Sequence, residues 1–360
     1  MSIINTTEYC RHCLMCRHMC PVGHVTFLET YTPHGWGQMV ASEKRGLFAW
    51  SKQSASTMFA CADCGMCEAH CVTDQPLPAA LAAARGVLVE RGLAPDRLQA
   101  LVDRLSTYGN AFVDVAPEPA QGTGTAALFV GDEAAHLRPE TLEAALALLR
   151  RVGVDPVLIG RGRNDGFTPA SLGYEGIAKQ LAETTLAELS ATGATRLYVL
   201  SPGAAFAIGE VYAKRLGLTL PAGVEIVDVA TFLAQKLGEG AISFNRAAVG
   251  IPIAYVDPTH TIRVLGRIDA PRALLRAVLP DAPVELFWRG DRAFPAGNLP
   301  FAFAEPEIAD KLTKSRLEDA RSRGAQGLVT ECPGTLAALS EHAGAYGLHV
   351  QGLFELLAER

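Results

Sequence analysis

Long apolar runs are missing from this chain. Nothing in it approaches the 18 or more consecutive apolar residues that a bilayer span requires, so no membrane span is expected. An excess of basic residues is also missing. Thirty-two Lys and Arg stand against 38 Asp and Glu, a net charge of −6, and with no overall positive field nucleic acid is not an expected partner. Residues Met1–Glu8 carry neither a charged-then-apolar leader pattern nor a twin arginine. No H-E-x-x-H, no P-loop and no Ser-His-Asp order occurs. The run "GRGRNDG" (Gly160–Gly166) departs from the dinucleotide pattern G-x-G-x-x-G.

Cysteine, by contrast, is concentrated and ordered. Eight of the nine cysteines form two quartets of one spacing: Cys10-x2-Cys13-x2-Cys16-x3-Cys20, followed by Pro21, and Cys61-x2-Cys64-x2-Cys67-x3-Cys71, followed by Val72. Three cysteines at two-residue intervals let a short loop wrap one corner of a cubane, and the fourth leaves as the chain turns away. In two-cluster proteins that fourth cysteine serves the other centre. The expectation is therefore two 4Fe–4S clusters, one on Cys10, Cys13, Cys16 and Cys71 and the other on Cys61, Cys64, Cys67 and Cys20. Zinc sites pair two Cys-x-x-Cys knuckles over a longer gap, and disulfides suit small secreted chains, so both fit this spacing less well. Thiolates and clusters need a reducing compartment, which reads as cytoplasm. The segments Phe48–Ala60 and Leu77–Gly92 read as helices, favouring an all-helical module. His12, His18, His24, His34 and His70, five of nine histidines, fall in the same region with Arg11, Arg17, Trp36 and Trp50, and are candidates for tuning a cluster or docking a partner.

The cysteine-rich part ends near Tyr108, giving a module over residues 1–108. A linker at 109–125 contains "APEPAQGTGT" (Ala116–Thr125). Short apolar runs then alternate with amphipathic helices, the pattern of a parallel α/β sheet. Strands are expected at Ala126–Val130, Val154–Ile159, Leu197–Leu200 and Val224–Val227, and helices at Pro139–Val152 and Gly176–Ala191. Three segments recur in the same order. Gly153–Gly160 aligns with Pro280–Gly290, Thr184–Gly203 with Ser315–Gly334, and Val224–Gln235 with Leu348–Glu359. The fold class expected is an α-helical two-cluster ferredoxin module followed by a duplicated α/β domain with parallel sheets, its halves at 126–250 and 251–360.

Taken together, these features resemble the iron–sulfur subunits of glycolate oxidase, anaerobic glycerol-3-phosphate dehydrogenase and heterodisulfide reductase. That family joins a helical two-cluster ferredoxin to a duplicated domain with a Cys-Cys-Gly in each half. The resemblance implies losses here. Ser201 and Ala204 stand where a Cys-Pro-x-Cys turn would lie, Thr259 replaces the cysteine of an Asp-Pro-Cys-His segment, and Thr335 replaces a partner of Cys332. The Cys-Cys-Gly positions fall on Asn164, Asp165 and Gly166, and near Pro295, Ala296 and Gly297. Cys332 alone cannot hold a cluster of this type. The second domain is expected to keep the fold without its metal, and no catalytic residue is assigned.

Ligands in open parallel sheets bind beyond the carboxyl ends of the strands. Asp132, Asn164, Asp165, Ser201, Asp257, Thr259, His260 and Cys332 all follow expected strands and either line a remnant pocket or serve as turn and cap residues. The resemblance implies a non-catalytic electron-transfer subunit. Its partners would be a flavoprotein that dehydrogenates a 2-hydroxy acid or demethylates a methylated amine or betaine, and a downstream electron-transfer flavoprotein or quinone-linked enzyme. An enzyme subunit with its own flavin or substrate site in the remnant pocket, or a cluster-based sensor, would account for the same cysteines.

Overall fold

Seven strands form two parallel sheets in the computed structural model, which describes residues 2–247, 250–263, 265–298 and 300–360. The first sheet has the order β2-β1-β3-β4, with β1 at Ala126–Gly131, β2 at Val157–Arg161, β3 at Arg196–Val199 and β4 at Glu225–Asp228. The second has the order β5-β6-β7, with β5 at Ile253–Tyr255, β6 at Gly327–Thr330 and β7 at His349–Gly352. Val284 adds an isolated parallel bridge to Ala254 on the free side of β5. The strands are short and apolar, as expected where helices cover a parallel sheet on both faces. β2 begins three residues later than the sequence pattern indicates, at Val157, because Val154–Pro156 still complete the turn out of the preceding helix.

The helices follow from sequence in the same way. Pro139–Arg151 buries Thr141, Ala144, Ala145, Leu148 and Leu149, one stripe at helical spacing. Proline opens it, and Arg150 and Arg151 sit in its last turn, where they oppose the helix dipole. Its buried face joins Val229–Gly238, Asp269–Val278 and Leu353–Ala358 in a core shared by both sheets, which contains Leu128, Val130 and Tyr198 beside Tyr255 and Val329. Each fully buried Leu there contributes on the order of 1.5–3 kcal/mol.

The amino-terminal part is built of short helices. Leu77–Glu90 is its longest. The segment Phe48–Ala60 is helical only from Lys52, as Lys52–Thr57 and then a 3-10 turn at Met58–Ala60. Ser51 caps it in a reciprocal pair with Ser54, and this cap fixes the start and leaves Phe48–Ser51 outside. The core of this part (Trp36, Phe59, Leu81, Leu88, Leu105) also contains Leu172, Leu181, Phe301, Ile308 and Leu312 from the α/β region. The stretch before β1 is tied down as well: Glu118 bridges Arg161, and Gly124 N donates to Thr192 O at 3.0 Å.

Candidate metal centres and the junction cleft

The two cysteine loops have the same backbone course. His12 and Asp63, each just before the second cysteine of its quartet, have φ of +54° and +47°. Leu14 and Gly65, just after it, have φ of +63° and +76°. The left-handed turns double the chain back on itself. In each loop the backbone N–H two residues past the first cysteine donates to that cysteine's sulfur, His12 to Cys10 and Asp63 to Cys61, both at 3.4 Å. Each loop runs into a short helix that carries the third cysteine, Met15–Met19 with Cys16 and Met66–Ala69 with Cys67, and these helices pack together. Cys20 then caps Pro21–Thr26 through the Gly23 N–H, whereas no helix follows Cys71 until Leu77, after Pro76.

The eight thiols fall into two neighbourhoods of contrasting exposure. Burial pushes Cys16 up to about 11, and the negative charges of Cys10, Cys13 and Cys71 add to the shift. Cys13 is exposed, and Cys10, Cys16 and Cys71 are half-buried. Burial also raises Cys61, to about 11, and raises Cys20 and Cys67, with Cys61 and Cys64 acting on both of the latter. Cys20, Cys61, Cys64 and Cys67 are all buried. They line a pocket of about 310 Å³, its open mouth included, whose wall also includes Trp36, Pro33 and Met66. Trp36 is 1% exposed, and its Nε1–H has no acceptor among the described residues. Buried thiols that repel one another as thiolates, a pocket between them and an orphaned donor on its wall together fit a cluster whose irons supply the positive charge and whose sulfurs accept hydrogen bonds.

The buried loop is gripped from the α/β region. Asp63 is 2% exposed and pairs with Arg215 (3.0 Å) and Arg85 (3.9 Å). Burial alone would raise its carboxyl, but these guanidiniums and His260 outweigh that and hold it below the usual range. His260 Nε2–H donates to the Asp63 carbonyl at 2.7 Å, and Arg263 Nε–H donates to the Cys64 carbonyl at 2.7 Å. His260 stacks on Phe206, and burial pushes it down to about 4, so the ring is neutral at pH 7. Elsewhere, His24 packs edge-on against Trp288 and Phe294, His34 pairs with Glu29, and His12 and His18 are exposed.

Beyond the strand ends lies a cleft enclosing about 890 Å³, including its open mouth. Asp132, Asn164, Asp165, Ser201, Asp257, Thr259, His260 and Cys332 all line it, as does Ala62 between two cysteines of the buried quartet. Several of these residues also serve local structure. Asp132 accepts from Ala111 N (3.1 Å) and Asn164 Nδ2 (3.0 Å), Ser201 caps the helix Pro202–Phe206, and Asp257 takes a two-pronged pair from Arg272 at 2.8 and 2.9 Å. Sequence reasoning missed Glu133, Thr168 and Asn298, which line the same cleft. The Asp-Glu pair directly after β1 was the available signal for Glu133. Cys332 is 6% exposed, neighbours Asn298 Nδ2 (3.8 Å), and is pushed up to about 12 by burial and by Glu133. Gly166 and Gly297 occupy matching places. Both have positive φ, +86° and +76°, and each presses on a helix backbone, at Ala178 and Ala309 respectively.

Comparison with known proteins places this geometry. Residues 6–74 match the family model of a 4Fe-4S dicluster domain. Over 346 residues the chain is 24% identical to a probable membrane-anchored ferredoxin of Chromohalobacter salexigens, covering 91% of this chain and 50% of that protein, so it spans half the relative's length. It is 25% identical over 289 residues to a subunit of the dihydromethanophenazine:CoB–CoM heterodisulfide reductase of Methanosarcina mazei, covering 76% of this chain and 70% of that one. It is 23% identical over 286 residues to a subunit of the CoM/CoB fumarate reductase of Methanothermobacter marburgensis, covering 77% and 55%. A crystal structure of a hypothetical protein from Helicobacter pylori shares the fold, with a TM-score of 0.60 and 14% identity over 90% of this chain and 68% of that one. Among the described residues no helix is long and apolar enough to cross a membrane. A 4Fe-4S dicluster domain at residues 6–74 is thus followed by parallel α/β sheets, in a chain similar over about three quarters of its length to subunits of two reductases.

Proposed function

We propose that this chain is the electron-transfer iron–sulfur subunit of a multi-subunit, flavin-dependent oxidoreductase of the 2-hydroxy-acid dehydrogenase or methylated-amine demethylase type. It takes electrons from a flavoprotein partner and delivers them to an electron-transfer flavoprotein or a quinone-linked enzyme, in the cytoplasm. Two 4Fe–4S centres, when bound, supply one-electron acceptance and release. The chain's own residues supply their placement. Cys10, Cys13, Cys16 and Cys71 hold one centre, and Cys61, Cys64, Cys67 and Cys20 hold the other. The observation that carries this reading is the contrast between the quartets, one open to solvent and one buried against the α/β region.

The open quartet lies among exposed apolar residues, Tyr9, Met15 and Val72, with the exposed cations Arg11 and Arg17 close by in sequence. That combination suits a docking face for an acidic flavoprotein surface. The remaining chain divides, in this reading, into a ferredoxin module at 1–108, a linker at 109–125 and two duplicated halves at 126–250 and 251–360. Support for the duplication comes from the shared order of strands, in which Val284 on β5 stands where β2 stands on β1, and from the paired glycines Gly166 and Gly297.

The reading is tested on protein purified without oxygen. It should carry about eight irons per chain and be reduced by its co-purifying flavoprotein. Met15→Glu should weaken that reduction while leaving the iron in place. About four irons, or undiminished electron transfer in the variant, would refute the corresponding part. Cys332→Ser should leave iron content unchanged.

A further inference from the structure

The junction cleft has a chemistry that electron transfer does not use. Among its described lining residues there are four carboxylates, Asp132, Glu133, Asp165 and Asp257, and no Lys or Arg. Two of the carboxylates are already answered: Asp257 by Arg272, and Asp132 by backbone and amide donors. Glu133 and Asp165 have no cationic partner among the described residues. Glu133 has the neutral donors Gly334 N–H and the Asn298 amide beside it and lies near Cys332, and Asp165 Oδ1 accepts from the Phe167 N–H at 2.9 Å.

A second observation points the same way. Thr168 and Thr259 line the cleft at 2% and 7% exposure, and neither hydroxyl has a hydrogen-bond partner among the described residues. His260 also lines it. With its Nε2–H given to Asp63, its neutral ring leaves Nδ1 as an acceptor. The cleft is therefore rich in acceptors, and its donors are neutral hydroxyls and amides and the Cys332 thiol. An anion such as phosphate or a carboxylate finds no counter-charge there. Phe129, Phe167 and Phe301 supply an apolar wall.

From this lining we propose that the cleft binds a small protonated alkylamine, with its ammonium on the Glu133–Asp165 side and its alkyl body against the phenyl rings. An ammonium group has donors and no acceptor, so it complements this lining. The bound amine would sit next to Ala62, inside the loop of the buried quartet, with His260 joining the two sites.

The test is equilibrium titration calorimetry at pH 9, where Glu133 and Asp165 are ionised, on the cluster-loaded full chain without oxygen, with n-butylammonium as probe and butyrate as the anionic control. Saturable binding of one butylammonium per chain, with no saturable binding of butyrate, is expected. Affinity should fall at least tenfold in Glu133→Gln and in Asp165→Asn, two near-isosteric changes whose cluster absorbance reports intact protein. Thr168→Val, which leaves both carboxylates in place, should weaken binding several-fold and serves where a charge variant does not accumulate. Absence of saturable butylammonium binding overturns the proposal, as does butyrate binding equally well or an affinity unmoved by all three variants. None of these results depends on electron transfer to a partner, so the electron-carrier reading stands or falls separately.

Discussion

Replacing Trp36 by Phe should lower the reduction potential of the buried centre. Trp36 is 1% exposed on the wall of the pocket lined by Cys20, Cys61, Cys64 and Cys67, and its N–H has no acceptor among the described residues. Leaving a buried donor unmade costs about 1–3 kcal/mol, which sulfur acceptors in the pocket would relieve. Reduction adds negative charge to those acceptors. A hydrogen bond to a charged acceptor is worth about 1 kcal/mol more than one to a neutral acceptor, so the donor favours the reduced form. For one electron a tenfold change in equilibrium is about 59 mV, equal to about 1.36 kcal/mol, and 1 kcal/mol becomes roughly 45 mV. Phenylalanine keeps most of the ring volume and removes the donor. Redox titration followed by electron paramagnetic resonance, on protein with unchanged iron content, should show a fall of roughly that size in one centre and none in the other. An unchanged potential would refute the assignment of Trp36 as a donor to that site, and a rise would refute the sign of the argument.

Other expectations concern the frame around the sites. Burial, with help from neighbouring carboxylates, pushes Glu133 up to about 8 and Asp165 up to about 7. The folded chain thus holds protons that the unfolded chain has released, so stability falls as pH rises toward 8. The melting temperature should drop between pH 6 and pH 8, less steeply in Glu133→Gln, and a flat profile in the parent would contradict this. Asp63→Ala leaves the buried Arg85 and the half-buried Arg215 without their anion and should cost about 3–5 kcal/mol in denaturant unfolding; a cost near zero would show that the loop is held by its backbone contacts alone. Gly297→Ala places a Cβ against the Ala309 carbonyl at a φ of +76°, and should cost at least about 2 kcal/mol, where a neutral result would mean that the loop can move away from Pro306–Ser322.

The parts of this molecule legible in sequence are those set by local spacing. The quartets announce their loops, and the alternation of apolar runs and helices announces the sheets. Eight polar residues following expected strands do meet in one cleft, because the carboxyl ends of parallel strands converge by construction. What could not be read depends on which distant surfaces touch. Nothing near Arg215 or Arg263 marks them as partners of a loop some 150 to 200 residues earlier, at separations of 152 to Asp63 and 199 to Cys64. Trp36 is one of nine candidate polar donors in the cysteine region of the sequence, and only its neighbours in the fold single it out from the others. The late start of the helix at Lys52 turns on a single serine cap, which apolar spacing does not reveal.

The grip on Asp63 and Cys64 also has a temporal consequence. Arg215, His260 and Arg263 emerge from the ribosome long after the cysteines they cover. If the inner quartet holds a cubane, as proposed, its thiols would be more accessible before these later segments have folded over them, so loading of that quartet should be fastest on a nascent or partly folded chain.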